Sequence, residues 1–293
     1  MPETREFRVL LATDGSSHSR AAIATVRSFP WPLHTRVAAV VGARSGGSLG
    51  RLRPASEAWR RHVERIAAGA RRSLRQTWPD GEVTVVDAAP VDAILREARR
   101  RRANIIVLGW RGHGPVSRLL MGSVSRGVVR RAPCPILVVR RRHDVRTVVV
   151  GVDGSPNARK AVAFLAALKP RRGARVVLVQ IVEPLTVPSA SLLPGTARTV
   201  ILREARKTNA DRLRRARREL RTMAPALKRG GWAVRTQVRL DVPLRGLLEA
   251  VKVLEADLLC VGARGVGGFE RLVLGSVAEG ALDRSPVAVL LVR

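Results

Sequence analysis

Apolar and polar positions along this chain follow two periods in turn. The run from Thr147 to Val152 is apolar with no alternation, and strands are also read at about 104–108 and 257–261, where Asn104 and Asp257 each lead a short apolar run. Runs of that kind predict strands covered on both faces, as in a parallel sheet. Between them, apolar residues recur at i, i+3, i+4 and i+7. Ala161, Phe164, Leu165 and Leu168 do so, as do Leu244, Leu247, Leu248 and Val251, and Val91, Ile94, Leu95 and Ala98. This spacing predicts helices with one buried face. Trp59, Val63, Ile66, Ala70 and Leu74 line a further predicted helix, whose other side carries Arg60, Arg61, Arg65, Arg71, Arg72 and Arg75. Ser155-Pro156 reads as an N-cap followed by proline at the first helical position. With "PILVVR" and "VAVLLVR" as closing strands, each half reads βαβαβαβαβ. That order implies an α/β fold with an open parallel sheet between two helix layers.

The halves are copies. "VLLATDGSSHSRAAIATV" near the start returns as "VVVGVDGSPNARKAVAFL", with Asp14 and Asp153 139 residues apart. "GWRGHGPVSRLLMGS" returns as "GARGVGGFERLVLGS", where Gly109 and Gly262, Gly112 and Gly265, and Gly122 and Gly275 are each 153 apart. The second copy therefore holds 14 extra residues (153 − 139) around "EPLTVPSASLLPGTA". Their Pro, Ser and Leu content predicts a loop or lid-like excursion. "RRRHDVR", residues 140–146, reads as the linker, so domains are expected over 1–142 and 143–293.

Composition narrows the classes. The 293 residues are 46% hydrophobic, enough for two ordinary cores. Cys134 and Cys260 lie far apart in apolar runs and read as buried free thiols. There is no CxxC or His/Cys cluster to suggest a metal. The opening segment lacks the apolar stretch of a signal peptide, and no apolar run approaches a membrane span. A cytoplasmic location is expected. The 54 basic and 23 acidic residues give +31, split as +16 before residue 145 and +15 after it. An even, arginine-rich excess reads as compositional bias on solvated faces, and it attracts polyanions non-specifically in any case.

Glycines end the strands where such sheets bind ligands, beyond the carboxyl edge. Gly262 closes an apolar run, Gly265 opens a turn, and Gly275-Ser276 precedes a predicted helix. Bare backbone N–H groups and a helix N-terminus make a phosphate cradle. Asp153, at the end of the first strand of its copy, suits a ribose hydroxyl. Alternatively, the glycines serve tight turns only, since duplication copies structural glycines too. There is no P-loop and no complete dinucleotide fingerprint.

The G-x2-G-x9-G-S motif, recurring downstream of "TDGS" and "VDGS", resembles the universal stress protein family over nearly the whole chain, as two tandem copies. The resemblance implies Rossmann-like sheets ordered 3-2-1-4-5 and ATP as ligand, with magnesium as a phosphate counter-ion. It places Asp14 and Asp153 on the ribose and adenine side. The backbone at Ile181, and at Gly42 in the first copy, borders adenine. Around the phosphates it places Gly109, Gly112, Gly122, Ser123 and Val124 in the first copy, and Gly262, Gly265, Gly275, Ser276 and Val277 in the second. Arg111 and Arg264 add positive charge there. It also implies that the closing strands pair, within the chain or in a homodimer.

The first copy departs from this pattern at Trp110, Asn104 and Gly42, where the second has Ala263, Asp257 and Ile181. Those differences predict the second copy as the stronger ATP site, unless Trp110 stacks on adenine. Three functions stand against one another: a nucleotide-binding regulator of stress physiology, a slow ATPase, and a polyanion-associating protein. No motif-grade catalytic base is present. His113 is the only histidine beside a glycine motif, and Val266 replaces it in the second copy. The leading expectation is a non-enzymatic ATP-binding regulator.

Overall fold

The computed structural model describes residues 6–43, 53–112, 121–142, 144–186, 194–265 and 274–293. The first copy runs β1 (Phe7–Ala12), α1 (Ser17–Ser28), β2 (Thr35–Gly42), α2 (Arg53–Arg75), β3 (Glu82–Val86), α3 (Pro90–Arg100), β4 (Ile105–Gly109), α4 (Ser123–Arg131) and β5 (Ile136–Val139). The second runs β6 (Thr147–Val152), α5 (Pro156–Ala166), β7 (Arg175–Val182), α6 (Gly195–Arg229), β8 (Ala233–Leu240), α7 (Pro243–Val253), β9 (Leu258–Gly262), α8 (Ser276–Arg284) and β10 (Ala288–Val292). Both copies have the expected element order and the 3-2-1-4-5 strand order.

The closing strands join the copies. β5 and β10 pair antiparallel, with Val138 opposite Val289 and Leu137 opposite Leu290. Every other strand pair is parallel. The result is one ten-stranded sheet, β3-β2-β1-β4-β5-β10-β9-β6-β7-β8. Alternation along each strand feeds two cores. Val9 and Leu11 face a cluster with Ala22 and Val26 of α1, Leu74 of α2, Leu165 of α5 and Leu220 of α6. Leu10 and Ala12 face the opposite cluster, with Leu95 of α3, Val128 of α4, Leu247 of α7 and Ala281 of α8. Helices α1, α2, α5 and α6 therefore form one layer, and α3, α4, α7 and α8 the other.

The seam is reinforced reciprocally. Arg140, just past β5, donates to the carbonyl oxygens of Leu282 and Asp283 at the end of α8. Arg293, 153 residues on and just past β10, donates to Val129 and Arg130 at the end of α4. Each guanidinium satisfies carbonyls left without helical partners and sits at the negative end of a helix dipole. Arg126 adds an ion pair to Asp283 at 2.9 Å.

The second copy's extra residues do not all form a loop. Arg53, the start of α2, corresponds to Arg206 at the 153-residue offset, yet α6 begins at Gly195. Eleven of the fourteen extra residues (206 − 195) therefore lengthen the helix, and residues 187–193 of the expected excursion lie outside the described ones. The stretch TARTVILREARK holds few helix breakers and propagates the helix already fixed by packing further along. Trp59 is also not on the inner face of its helix. It is 39% exposed and lies against His62, while Val63, Ala70 and Leu74 are buried as expected. Both cysteines are free and buried, and burial pushes the Cys134 thiol up to about 12. Among the described residues, no helix is long and apolar enough to cross a membrane.

Val289 is 2% exposed at the seam. Val289→Asp places an unpaired carboxylate there and is expected to lower stability by roughly 4 kcal/mol or more, read from urea unfolding. A loss below about 1 kcal/mol, typical of surface substitutions, would mean that the seam contributes little.

Candidate functional site

Two turns build the site in each copy. In Asp14-Gly15-Ser16, Gly15 has φ +78°, which glycine adopts without strain. Asp14 Oδ1 accepts from the Ser16 backbone N–H at 3.0 Å, and the Ser16 hydroxyl accepts from Ser19 to cap α1. The Ser16 hydroxyl also donates to the Arg111 carbonyl at 3.3 Å. The turn after β1 is thereby tied to the loop after β4. The second copy repeats each bond: Ser155 N–H to Asp153 Oδ1 at 3.0 Å, the Ser155 cap of α5, and Ser155 to the Arg264 carbonyl at 3.3 Å. The duplicated "DGS" was legible; the bridging role of Ser16 and Ser155 was not, because it runs between segments 95 and 109 residues apart.

The glycines fall into two groups. Gly109 and Gly262 have no room for a side chain inside the protein. A Cβ on Gly109 would lie 2.7 Å from the backbone of His18, and one on Gly262 would lie 2.9 Å from that of Asn157. They let the first turn of α1 or α5 pack onto the neighbouring strand, so their smallness is structural. Gly112 and Gly265 meet the aspartates. A Cβ on Gly112 would overlap Asp14 Oδ2, and one on Gly265 would lie 2.6 Å from Asp153 Oδ2. Gly122 and Gly275 are the N-cap positions of α4 and α8, and neither helix start is capped by a side chain. The first-turn N–H groups at Ser123 and Val124, and at Ser276 and Val277, thus head uncapped helix N-termini, the arrangement that attracts anions.

In the first copy these parts enclose a cavity of about 250 Å³. Its polar end is formed by Asp14, Arg111, Gly112, Gly122 and Ser123. Its apolar end is formed by Val40, Gly42, Pro90 and Ile94. Arg111 brings positive charge, and together with burial it holds His18 below the usual histidine range. Ser125, which the sequence reading passed over, donates to the Gly109 carbonyl at 2.7 Å and fixes the start of α4 to the end of β4.

Three departures of the first copy stand in settings that the sequence did not show. Trp110 does not line the cavity. It is 5% exposed, its Nε1 donates to the Leu282 carbonyl at 2.9 Å, and it packs in the core of the α3/α4/α7/α8 layer. Its ring lies between the guanidinium groups of Arg140 and Arg111, at 3.5 and 4.1 Å from the centroid. Burial and the neighbouring Arg111 charge lower Arg140 to about 10. Gly42 does not leave a gap either. A Cβ there would meet Pro90 Cα at 2.6 Å and Ala93 Cβ at 3.1 Å, so α3 closes directly onto β2. The second copy reverses the sizes. Ile181 reaches across, and its Cδ1 would lie 2.9 Å from a Cβ on Gly246, the residue matching Ala93 at the 153-residue offset. Asn104 and Asp257 stand at the strand ends remote from the cavity. They do the same job there: Asn104 accepts from Arg8 N–H, and Asp257 from Arg146 and Thr147 N–H.

One difference lies beside the aspartate turn of the second copy. Glu219 of α6, 153 residues after Ile66, sets its carboxylate 2.6 Å from the position of a Cβ on Gly154, and Gln180 donates to it at 3.3 Å. Ile66 makes the matching contact with Gly15. An apolar neighbour of the aspartate turn is thus replaced by an anion. His113 and Val266 lie outside the described residues.

A doubly wound sheet with space at its carboxyl edge, glycine-lined and bounded by uncapped helix starts, defines the Rossmann-like α/β class of folds. A profile of the universal stress protein family matches residues 7–140 and 144–293, and this chain belongs to that family. A universal stress protein of Mycobacterium tuberculosis is 32% identical over 222 residues, covering 71% of this chain and 68% of that protein. Another, of Mycobacterium bovis, is 30% identical over 246 residues, covering 79% and 70%. A universal stress protein structure from Archaeoglobus fulgidus superposes with a TM-score of 0.68 at 19% identity, covering 98% of both chains.

Gly112→Ala is expected to displace the Asp14 carboxylate and cost about 1–3 kcal/mol in urea unfolding. Gly275→Ala meets nothing nearer than 3.4 Å and is expected to stay within about 1 kcal/mol of the parent. Equal costs at the two positions would contradict the division of the glycines.

Proposed function

We propose that the protein binds ATP in the first-copy cavity and acts as a nucleotide-responsive regulator, with magnesium as the phosphate counter-ion. One observation carries the reading. The Asp14 carboxylate, the bare backbone at Gly112 and Gly122, the uncapped start of α4 and Arg111 converge on a single cavity with an apolar far end. Asp14 accepts hydrogen bonds from ribose hydroxyls through Oδ2, because Oδ1 is held by the Ser16 N–H. The α4 N-terminus and Arg111 hold the phosphates. Val40, Pro90 and Ile94 give the base an apolar wall. In the second copy Asp153, Ile181, Arg264, Gly265, Gly275, Ser276 and Val277 form the matching set, but the Glu219 carboxylate beside the Asp153 turn adds a negative charge near it. The first copy is therefore the tighter site, the reverse of the ranking that Trp110 and Gly42 suggested from sequence.

Regulation follows if occupancy biases a conformation that a partner reads. Arg111 is the element in common: it lines the cavity and stacks on Trp110, whose indole N–H is bonded to the other copy.

Calorimetric ATP titration of Asp14→Ala and Asp153→Ala at fixed salt separates the sites. Asp14→Ala is expected to abolish the tighter phase, and Asp153→Ala to leave it. Loss of the tighter phase in Asp153→Ala alone restores the second copy as the principal site, and unchanged binding in both variants refutes the assignment.

Turnover is a separate matter. Among the described residues no group of three His, Cys, Asp or Glu side chains is poised to hold a metal, and no general base faces the polar end of the cavity except Asp14 itself. Single-turnover assays with magnesium are expected to give rates well below about 1 per second, the lower end of ordinary enzymes. A rate at or above that identifies the protein as an enzyme.

A further inference from the structure

The positive charge is even along the sequence but not across the sheet. Helices α1, α2, α5 and α6 carry 23 basic and five acidic residues, net +18. Helices α3, α4, α7 and α8 carry nine and five, net +4. Neutralisation differs as well. On the second layer Arg100, Arg126, Arg130, Arg131 and Arg245 are ion-paired, five of the nine. On the first layer the ion pairs between described side chains are Arg61–Glu57, Arg71–Glu64 and Arg214–Asp211. The first layer's helices hold 81 residues and the second's 40, so basic residues are nearly as dense on both, and the difference lies in the acid: five acidic residues in 81 against five in 40, which leaves the first layer's charge largely uncompensated.

The densest part is α6. All twelve of its basic residues are exposed. Arg214, Arg217, Arg218 and Arg221 fall at i, i+3, i+4 and i+7, one continuous stripe on which like charges repel. At the other end of the layer, α2 exposes Arg60, Arg61, Arg65, Arg72 and Arg75, with Arg20, Arg27, Arg159 and Lys160 exposed on α1 and α5 between them. A 35-residue helix is about 50 Å long, and ten strands span about 45 Å. The face is wide and arginine-rich.

We propose that the α1/α2/α5/α6 face binds the phosphodiester backbone of duplex nucleic acid without reading its sequence. Twenty of the 23 basic residues are arginine, whose planar fork matches phosphate oxygens in pairs. Duplex is favoured over single strands because single-strand platforms need stacked aromatics, and Trp59 is the only exposed aromatic among the described residues of this layer. A membrane surface is disfavoured because the arginine stripe from Asp211 to Arg229 exposes no large apolar side chain, and the exposed Val200, Ile201 and Trp59 lie outside it, whereas interfacial binding needs apolar side chains to insert. The inference is independent of the ATP reading, and its test is run without nucleotide.

The test is binding of the full chain to a random-sequence DNA duplex of about 30 base pairs, long enough to cross the face, across a salt series. One variant combines Arg214→Gln, Arg217→Gln, Arg218→Gln and Arg221→Gln. Its control combines Arg96→Gln, Arg99→Gln, Lys252→Gln and Arg284→Gln, four exposed basic residues of the opposite layer outside the ion pairs above, so that net charge falls equally. A second variant, Arg60→Gln, Arg61→Gln, Arg65→Gln and Arg72→Gln, serves if the first unfolds by circular dichroism. The face variants are expected to bind at least about tenfold more weakly, with a salt slope shallower by about one per lost phosphate contact. The control is expected to stay within about twofold of the parent. Equal losses in face and control variants would overturn the proposal in favour of bulk charge. So would tight binding to phosphatidylserine vesicles with none to the duplex, which would make the partner a membrane.

Discussion

The antiparallel pairing of β5 with β10 is the constraint on which the rest of the architecture depends. Each copy alone would end its sheet in a short apolar strand with unpaired backbone groups, an edge that invites association. Pairing the two inside one chain removes both edges and leaves β3 and β8 as the ends of the sheet. It also sets which helices lie on which side. Because the copies meet across an approximate twofold axis, like helices fall on like faces, so α2 and α6 share a layer, as do α4 and α8. The arginines that follow the two closing strands can then exchange caps with the opposite helix. Buried strands and two guanidinium caps reinforce one another, since neither arginine reaches its carbonyls unless the strands are paired.

The seam also bears on the cavity. The loops that leave β4 and β9 carry the site glycines, and these strands adjoin β5 and β10. Trp110 lies in that loop, yet its indole turns away from the ligand space toward α8. The same residue that sequence comparison marks as an obstruction is a packing element of the seam. Arg111, beside it, faces both ways. Its guanidinium covers the Trp110 ring, while the residue lines the cavity. Whatever occupies the polar end of the cavity therefore touches a group in van der Waals contact with the joint between the copies.

Much of this was legible in the sequence, and the parts that were not share a cause. Apolar periodicity gave α2, α3, α5 and α7, apolar runs gave the central and closing strands, and the two offsets located the extra residues, because those signals are local. The buried thiols and the aspartate-glycine-serine turns were equally local. What sequence could not give depended on direction and on partners far along the chain. Trp110 has the same identity whether it points into or out of the cleft. Gly42 looks like a lost wall until Pro90 is seen against it. Asn104 and Asp257 look like a difference at the site until they are found at the other end of the strands, each bonded to backbone N–H groups. The extra residues of the second copy read as a loop from Pro and Ser, but a helix anchored by Ala216, Leu220 and Leu227 extends backward through them. Charge counted by halves appeared uniform because the asymmetry runs perpendicular to the chain's division.

The two copies have diverged by paired changes. Gly42 with Ala93 becomes Ile181 with Gly246: bulk moves from helix to strand. Ala263, also buried, stands where the first copy has Trp110. The exchange of Ile66 for Glu219 is of another kind. It conserves neither size nor polarity, and it brings a carboxylate to a turn that already holds Asp153. Burial of like charges is costly unless a hydrogen-bond donor compensates, and Gln180 supplies one where the first copy has Val41. A packing adjustment would not need both a new acid and a new donor beside the same turn. The second copy has therefore changed the charge beside its aspartate turn while keeping the hydrogen bonds that shape it, so one chain presents two turns of like geometry and unlike charge.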